Sequence, residues 1–370
     1  MPTLIVKPTE RCTSHCAYCD VVAKKKRFDD MTVETLRLIF QRVDEYLKAH
    51  PESRVNWIWH GGEPLLMGKH FYTQSRELLH TLCKTTGDRI QFAMQSNLML
   101  MDDAWASVLR ELRITSLGSS YDPLDGARGA GELCDTVAYN RAFLRGKMVA
   151  ERSGIGVGII YVLTRPALDR SREIFHHLVN VTGGSFNIHP VLLYCDRRPD
   201  LAVTPDEYAD FLGEIFPEWW QHRERYGRVE PFSSLVCNIM EQSHSLGCVF
   251  SGNCMREHIS IAPDGHLSHC GRSEDWDLLD YGMLHDKTFE TVLHDAQRMA
   301  LEDRNAHLLK NECADCRFWG LCHGGCPLDG WAVQGNLLSS SPWGCAQKKF
   351  IVEYFEPITG VRYEGISHLD

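Results

Sequence analysis

The sequence predicts an α/β fold, a partial (β/α)6 TIM-type barrel followed by a cysteine-rich extension. Three observations predict it. Short apolar runs alternate with longer amphipathic stretches through the first 235 residues; three cysteines crowd the first 19 residues; eight more lie between Cys248 and Cys345. Such alternation implies parallel strands joined by right-handed helical crossovers. Functional residues are then expected in loops at the carboxyl ends of the strands. The predicted division is a barrel over 1–235 and an extension over 236–370.

The elements follow in order. "TLIVKP" is a short buried strand leading into a cysteine loop, and "MTVETLRLIFQRVDEYLKAH" has apolar residues at helical spacing, with Thr32 as N-cap. "VNWIWHGGEP" is a strand running into a glycine turn, "HFYTQSRELLHTLCKTTG" a helix and "RIQFAMQSN" a strand. "DDAWASVLRELR" and "ITSLGSSYD", then "NRAFLRGKMVAERSG" and "IGVGIIYVLT", then "SREIFHHLVNVTG" and "SFNIHPVLLY", repeat the helix–strand pair. "TPDEYADFLGEIFPEWWQHRERYG" closes the series as a helix. Its Phe216, Trp219, Trp220 and Tyr226 are read as core or domain-interface residues rather than a docking surface. Within the extension, "APDGHLSHC" reads as a hairpin turning at Asp264–Gly265.

Composition narrows the function. Of 370 residues, 44% are apolar and 24% charged, as in an ordinary globular protein, and 39 basic against 49 acidic residues leave a net charge of −10. That sign argues against nucleic-acid binding. The run "KKKR" from Lys24 to Arg27 is read as a solvated loop, with steering of an acidic peptide or a reductant as the alternative. No apolar run approaches the ~18 residues of a membrane span, and the N-terminus lacks a signal-peptide pattern. The expected location is therefore the cytoplasm, where thiols stay reduced and fifteen cysteines point to metal rather than disulfides. Cys83, Cys134, Cys195 and Cys237 lie between the two cysteine groups and are read as packed thiols.

Cys12, Cys16 and Cys19 have the spacing C-x3-C-x2-C. Structural zinc asks for four ligands and a redox pair for two, so three thiolates fit a metal centre with one position left open. A zinc knuckle or a chance cluster is the competing reading. With Tyr18 before the last cysteine, the trio resembles the radical SAM superfamily. That resemblance implies a 4Fe–4S cluster whose open iron is chelated by S-adenosylmethionine, and reductive cleavage to a 5′-deoxyadenosyl radical.

The strand ends extend the resemblance. Gly61, Gly62, Glu63 and Pro64 match the family's Gly-Gly-Glu-Pro motif, which implies close backbone approach and a carbonyl for the methionine amine. Ser120 and Asp122, in "SSYDP", resemble the ribose-contacting pair. Gln95 and Asn97, in "QSN", share that face, and Arg145 is a candidate for the methionine carboxylate or else an ordinary helix-surface arginine. His60, His189 and His269 are read as packed or hydrogen-bonded.

The later cysteines resemble the SPASM extension, which carries two auxiliary 4Fe–4S clusters. The resemblance assigns Cys248, Cys254, Cys270 and Cys326 to one cluster and Cys313, Cys316, Cys322 and Cys345 to the other. Spacing alone does not separate this interleaving from sequential pairing, or from a zinc ribbon. The general likeness is to anaerobic sulfatase-maturating enzymes and to maturases of ribosomally made peptides. One departure stands out: the sulfatase maturases have an aspartate directly after the third cysteine of this extension, and this chain has Gly271. Glu274, Asp275 and Asp277 are nearby acids.

The expected function is hydrogen abstraction and oxidative modification or cross-linking of side chains in a ribosomally made peptide or protein. Formylglycine formation on a sulfatase, dehydrogenation of a small metabolite, and a non-catalytic iron–sulfur or zinc module are the alternatives. An electron carrier has no use for Gly61–Pro64, which disfavours the last. Expected partners are the peptide or protein substrate and a donor such as flavodoxin or ferredoxin. Eleven residues precede Cys12, so any leader peptide is expected on the barrel, the extension or a separate leader-binding protein.

Overall fold

The structure, a computed structural model, describes residues 2–23, 29–124, 126–192, 198–256 and 258–365. The Lys24–Arg27 run and Cys195 lie outside the described residues. Compactness divides the chain into two units, each visited twice: 1–158 with 255–299, and 159–254 with 300–370.

The first unit is built on strands β1 (Thr3–Val6), β2 (Val55–Trp59), β3 (Ile90–Gln95), β4 (Ser116–Ser120), β8 (His258–Ile261), β9 (His266–Ser268) and β10 (Asp280–Met283), in the order β10-β9-β8-β1-β2-β3-β4. From β8 to β4 the neighbours are parallel, with Thr3 opposite Asn56 on one side and His258 on the other. β8 and β9 form the antiparallel hairpin, and Gly265 takes a φ of 91° at its turn. Its helices are α1 (Asp20–Ala23), α2 (Val33–Ala49), α3 (Gly68–Leu82), α4 (Asp103–Glu111) and α5 (Thr136–Arg152). Thr32 does cap α2, accepting from the Thr35 N–H at 3.1 Å. Alternation decides the faces: Leu4, Val6, Trp57 and Trp59 are fully buried, Phe40 of α2 stacks on Trp57 at 4.7 Å, and Tyr72 of α3 meets Trp59 edge-on. Such pairs each contribute about 0.5–1.5 kcal/mol beyond their buried area.

The second unit carries most of β5 (Gly156–Leu163), then β6 (Phe186–Pro190) and β7 (Val229–Glu230), paired parallel in that order. Helices α6 (Ser171–Thr182), α7 (Pro205–His222) and α8 (Phe232–Met240) accompany them. α7 opens on a capping box, in which Thr204 accepts from the Glu207 N–H while Glu207 accepts from the Thr204 N–H. Phe216 and Trp219 are core residues, and Phe216 packs on Phe232, Phe350 and Phe355. The first unit also holds α9 (Gly271–Asp275), α10 (Phe289–Leu293) and α11 (Ala296–Met299). α12 (Asp303–Lys310), α13 (Trp319–Cys322), α14 (Pro327–Gln334) and α15 (Pro342–Phe350) frame the later cysteines of the second. The result is a mixed α/β fold dominated by parallel pairing. No helix among the described residues is long and apolar enough to cross a membrane.

Candidate functional site

The three-cysteine loop leaves the carboxyl end of β1 and is held from two sides. On one side the Gly62 N–H donates to Thr9 O at 3.0 Å and the Glu63 N–H to Arg11 O at 2.8 Å. A Cβ on Gly61 would stand 2.3 Å from Thr9 O, and one on Gly62 2.3 Å from Arg11 O. The glycines thus admit the backbone of this same loop; Gly61 also needs its φ of 108°. On the other side, residues 127–131 run beside the loop: the His15 N–H donates to Gly129 O, the Ala17 N–H to Ala127 O and the Gly131 N–H to Thr13 O, at 2.7–3.1 Å. Pro64, buried, begins the short 3-10 turn after Glu63.

Glu63 is fully buried and braces two strand ends. Its carboxylate accepts from the Leu65 N–H at 3.0 Å, the Ser96 hydroxyl at 2.9 Å and the Asn97 N–H at 2.7 Å. Asn97 carries the brace onward, donating to Thr13 Oγ1 at 2.9 Å, Ser14 Oγ at 3.3 Å and Cys12 Sγ at 3.7 Å. Burial lifts the Glu63 carboxyl to about 7, although its three donors favour the anion. Gln95 lies over Gly118, whose Cβ would collide with its Oε1. Arg145 on α5 donates to Met99 O at 3.0 Å.

Tyr18, Asp122 and Arg128 form a second cluster. The Tyr18 hydroxyl donates to Asp122, and Arg128 Nε donates to Asp122 Oδ2 at 2.7 Å while its Nη2 donates to the Tyr18 oxygen at 2.6 Å. Asp122 is fully buried, and burial pushes the Tyr18 phenol well above its usual range. Tyr139 donates to Ser120 O at 2.6 Å, and its ring lies under the Arg128 guanidinium. Sequence reasoning passed over Arg128; the available signal was an arginine set among glycines in "GARGAG".

The donor sets fit iron–sulfur clusters. Burial pushes the Cys12 thiol up to about 12, and charge on Glu63, Cys19 and Cys16 adds to the rise, so the three sulfurs lie within one another's fields. In the second unit, burial raises the Cys322 thiol to about 12 with repulsion from Cys313, Cys345 and Cys316 behind it, and burial raises Cys313 to about 11 with Cys316 and Cys345 adding to it. Thiols crowded this way ligate only as thiolates, which bound cationic iron would favour. A Cβ on Gly344 would come within 2.3 Å of Cys322 Sγ, leaving that sulfur a glycine-lined cradle. Cys326 is buried, Cys254 half-buried and Cys248 exposed, all in the second unit, whereas the half-buried Cys270 precedes α9 in the first. Among the described residues no three His, Cys, Asp or Glu side chains are grouped to hold a single ion; in a cubane each thiolate binds its own iron.

Beside α9 stands a buried cation that sequence reasoning also missed. Lys7, 1% exposed at the end of β1, pairs with Glu274 at 3.0 Å and Asp275 at 2.9 Å and donates to Gly271 O at 2.9 Å. Glu274 accepts from Ser260 Oγ as well. A Cβ on Gly271 would point toward Lys7 Nζ at 3.8 Å. Burial and the Lys7 charge hold His60 at about 4, hence neutral at physiological pH, and its Nδ1 accepts from the Gly61 N–H at 2.8 Å. His269 is buried against the Tyr281 hydroxyl, and His189 is exposed at the end of β6.

Residues 6–125 match the radical SAM superfamily. A protein of unassigned activity from Methanothermobacter thermautotrophicus is 30% identical over 229 residues, 61% of this chain and 81% of its own. The serine-type anaerobic sulfatase-maturating enzyme of Klebsiella aerogenes is 25% identical over 352 residues, 90% of this chain and 82% of its own. Among solved structures, native anSMEcpe with bound AdoMet and Cp18Cys peptide superposes with a TM-score of 0.82 at 20% identity, covering 97% of this chain and 98% of that one. SuiB of Streptococcus suis bound to precursor peptide SuiA gives 0.63 at 14% identity, covering 93% and 76%.

Proposed function

The chain belongs to the radical SAM superfamily, and from that premise we propose that it is a maturase that oxidises a side chain of a peptide or protein. A 4Fe–4S cluster held by Cys12, Cys16 and Cys19 would, with S-adenosylmethionine, supply the 5′-deoxyadenosyl radical that abstracts hydrogen from an unactivated carbon. Around that cofactor pair this chain sets the Gly61–Pro64 turn, Gln95 and Asn97, Ser120 and Asp122, Tyr18 and Arg145. Two auxiliary clusters take the tetrads Cys248/Cys254/Cys270/Cys326 and Cys313/Cys316/Cys322/Cys345, so that cofactor chemistry divides after residue 235. A flavodoxin or ferredoxin as donor, a separate leader-binding protein and a cytoplasmic location complete the proposal.

The observation that carries the peptide substrate is the likeness to sulfatase-maturating enzymes over nine-tenths of the chain. The product turns on Gly271. A carboxylate at this position would face Lys7, but here Lys7 is already paired with Glu274 and Asp275. A carboxylate that shares a buried cation is a weak proton acceptor, and a general base must reach its proton within about 2.6–3.2 Å, directly or through one water. Cross-linking or dehydrogenation is therefore preferred. Formylglycine formation is the second reading, favoured by the likeness to serine-type and cysteine-type sulfatase-maturating enzymes.

The test is anaerobic incubation of the reconstituted chain with a sulfatase-type Ser or Cys peptide and, separately, with any short peptide encoded beside its gene. Loss of two hydrogens from the second peptide and none from the first is the expected result. Aldehyde on the first peptide would overturn the preference for cross-linking and point to an alternative base in the loop after Cys270.

A further inference from the structure

Arg304, on α12, is 4% exposed, and among the described residues no carboxylate oxygen touches it. Its contacts are carbonyls: Nε donates to Leu337 O at 3.1 Å, Nη1 to His323 O at 3.3 Å, and Nη2 to Gly324 O at 2.9 Å and Ser339 O at 2.7 Å. Glu312 feels its charge but is hydrogen-bonded to the Ser340 N–H. Taking a cation out of water without a counter-charge is costly, and four carbonyl dipoles recover only part of that cost. Beyond Glu312, the groups whose charge would act on it are cysteines. Burial lowers the guanidinium pKa, and thiolate charge at Cys326, Cys254, Cys322 and Cys313 would restore it. Those four cysteines belong to both proposed auxiliary tetrads, two to each.

The carbonyls bound are equally selective. His323 and Gly324 lie inside the Cys322-x3-Cys326 connection, where the chain passes from one tetrad to the other. Leu337 and Ser339 lie on the segment that leads to Cys345. One planar fork with five donors can span such a set, whereas a lysine ammonium cannot.

We propose that Arg304 is a positioning residue shared by the two auxiliary 4Fe–4S clusters, holding the Cys322–Cys326 connection and supplying the positive charge that raises their reduction potentials. The inference rests on the auxiliary clusters assigned above. A cluster becomes more negative on reduction, so a fixed cation beside it favours the reduced form, and net local charge is among the quantities that set its potential.

The experiment uses the full chain with Cys12, Cys16 and Cys19 replaced by alanine, so that EPR reports auxiliary clusters alone, and compares Arg304 with R304Q and R304K. Iron is assayed and midpoints are measured by EPR-monitored titration. With Arg304 present, about eight irons per chain are expected; their absence removes the cluster assignment itself, and this inference with it. With iron retained, R304Q should disfavour reduction of at least one cluster tenfold, about 59 mV for one electron. R304K should stay well inside that limit because it keeps the charge. Unchanged midpoints in R304Q, or an equal fall in R304K, would overturn the assignment. If R304Q holds no iron, R304K decides: unchanged midpoints support the role of charge, and a tenfold fall refutes it. Loss of iron from both variants would reduce Arg304 to a structural buttress and overturn the proposal.

Discussion

Glu63 sits where three donors converge, with its Oε1 serving Leu65 and Ser96 and its Oε2 serving Asn97. In Glu63→Gln one oxygen remains, and the new amide N–H2 faces the Asn97 N–H. Leaving that buried donor unpaired costs about 1–3 kcal/mol. The pH dependence separates this effect from the charge. Burial raises the folded-state pKa from 4.5 to about 7, so the folded chain holds this proton more tightly than the unfolded chain. That stabilising contribution is fully present below about pH 4.5 and is lost as the pH rises to about 7. Denaturant unfolding should therefore show E63Q less stable than the native chain by about 1–3 kcal/mol near pH 5, with the gap closing toward pH 7. A gap that does not change with pH would mean that Glu63 is already ionised in the folded state at pH 5.

At the scale of elements, what the sequence made legible is what local chemistry decides. Thr32 announces α2 and Asp264–Gly265 announces the β8–β9 hairpin, because cap and turn residues act on their immediate neighbours. Strand partners are another matter. That β8 pairs parallel with β1, and that residues 127–131 line the cysteine loop, depend on contacts more than a hundred residues apart, which no local period encodes. Arg128 and Lys7 escaped notice for the same reason: an arginine among glycines, or a lysine ending a strand, reads as exposed until its distant partners are known. The glycine turns were legible as motifs, but their occupant was not, since Gly61 and Gly62 receive carbonyls of Thr9 and Arg11. Two glycine substitutions follow as local tests. Gly62→Ala drives a Cβ into the backbone of Arg11 and should cost the chain the first cluster, about four irons of twelve. Gly344→Ala drives one against Cys322 Sγ and should cost an auxiliary cluster instead. Iron assay with EPR distinguishes the two; equal iron in both variants and the native chain would show that neither loop is needed at its present width.

For the molecule as a whole, the chain places the cysteine trio and Cys270 in one compact unit and the other seven of the eleven proposed ligands in the second. Ligand count then makes a prediction that no single site makes. Three 4Fe–4S clusters require about twelve irons in the anaerobically reconstituted chain. Replacing Cys12, Cys16 and Cys19 together should leave about eight and abolish reductive cleavage of S-adenosylmethionine, because the remaining tetrads have no open iron. Replacing Cys316 alone should also lower the count toward eight yet spare that cleavage, since the first cluster keeps its three thiolates and its bracing by Asn97, while turnover of the peptide falls. The two variants therefore lose similar amounts of iron and differ in 5′-deoxyadenosine formation. Undiminished 5′-deoxyadenosine in the triple variant would remove the opening motif from the reaction, and an active chain filled with zinc would remove electron transfer altogether.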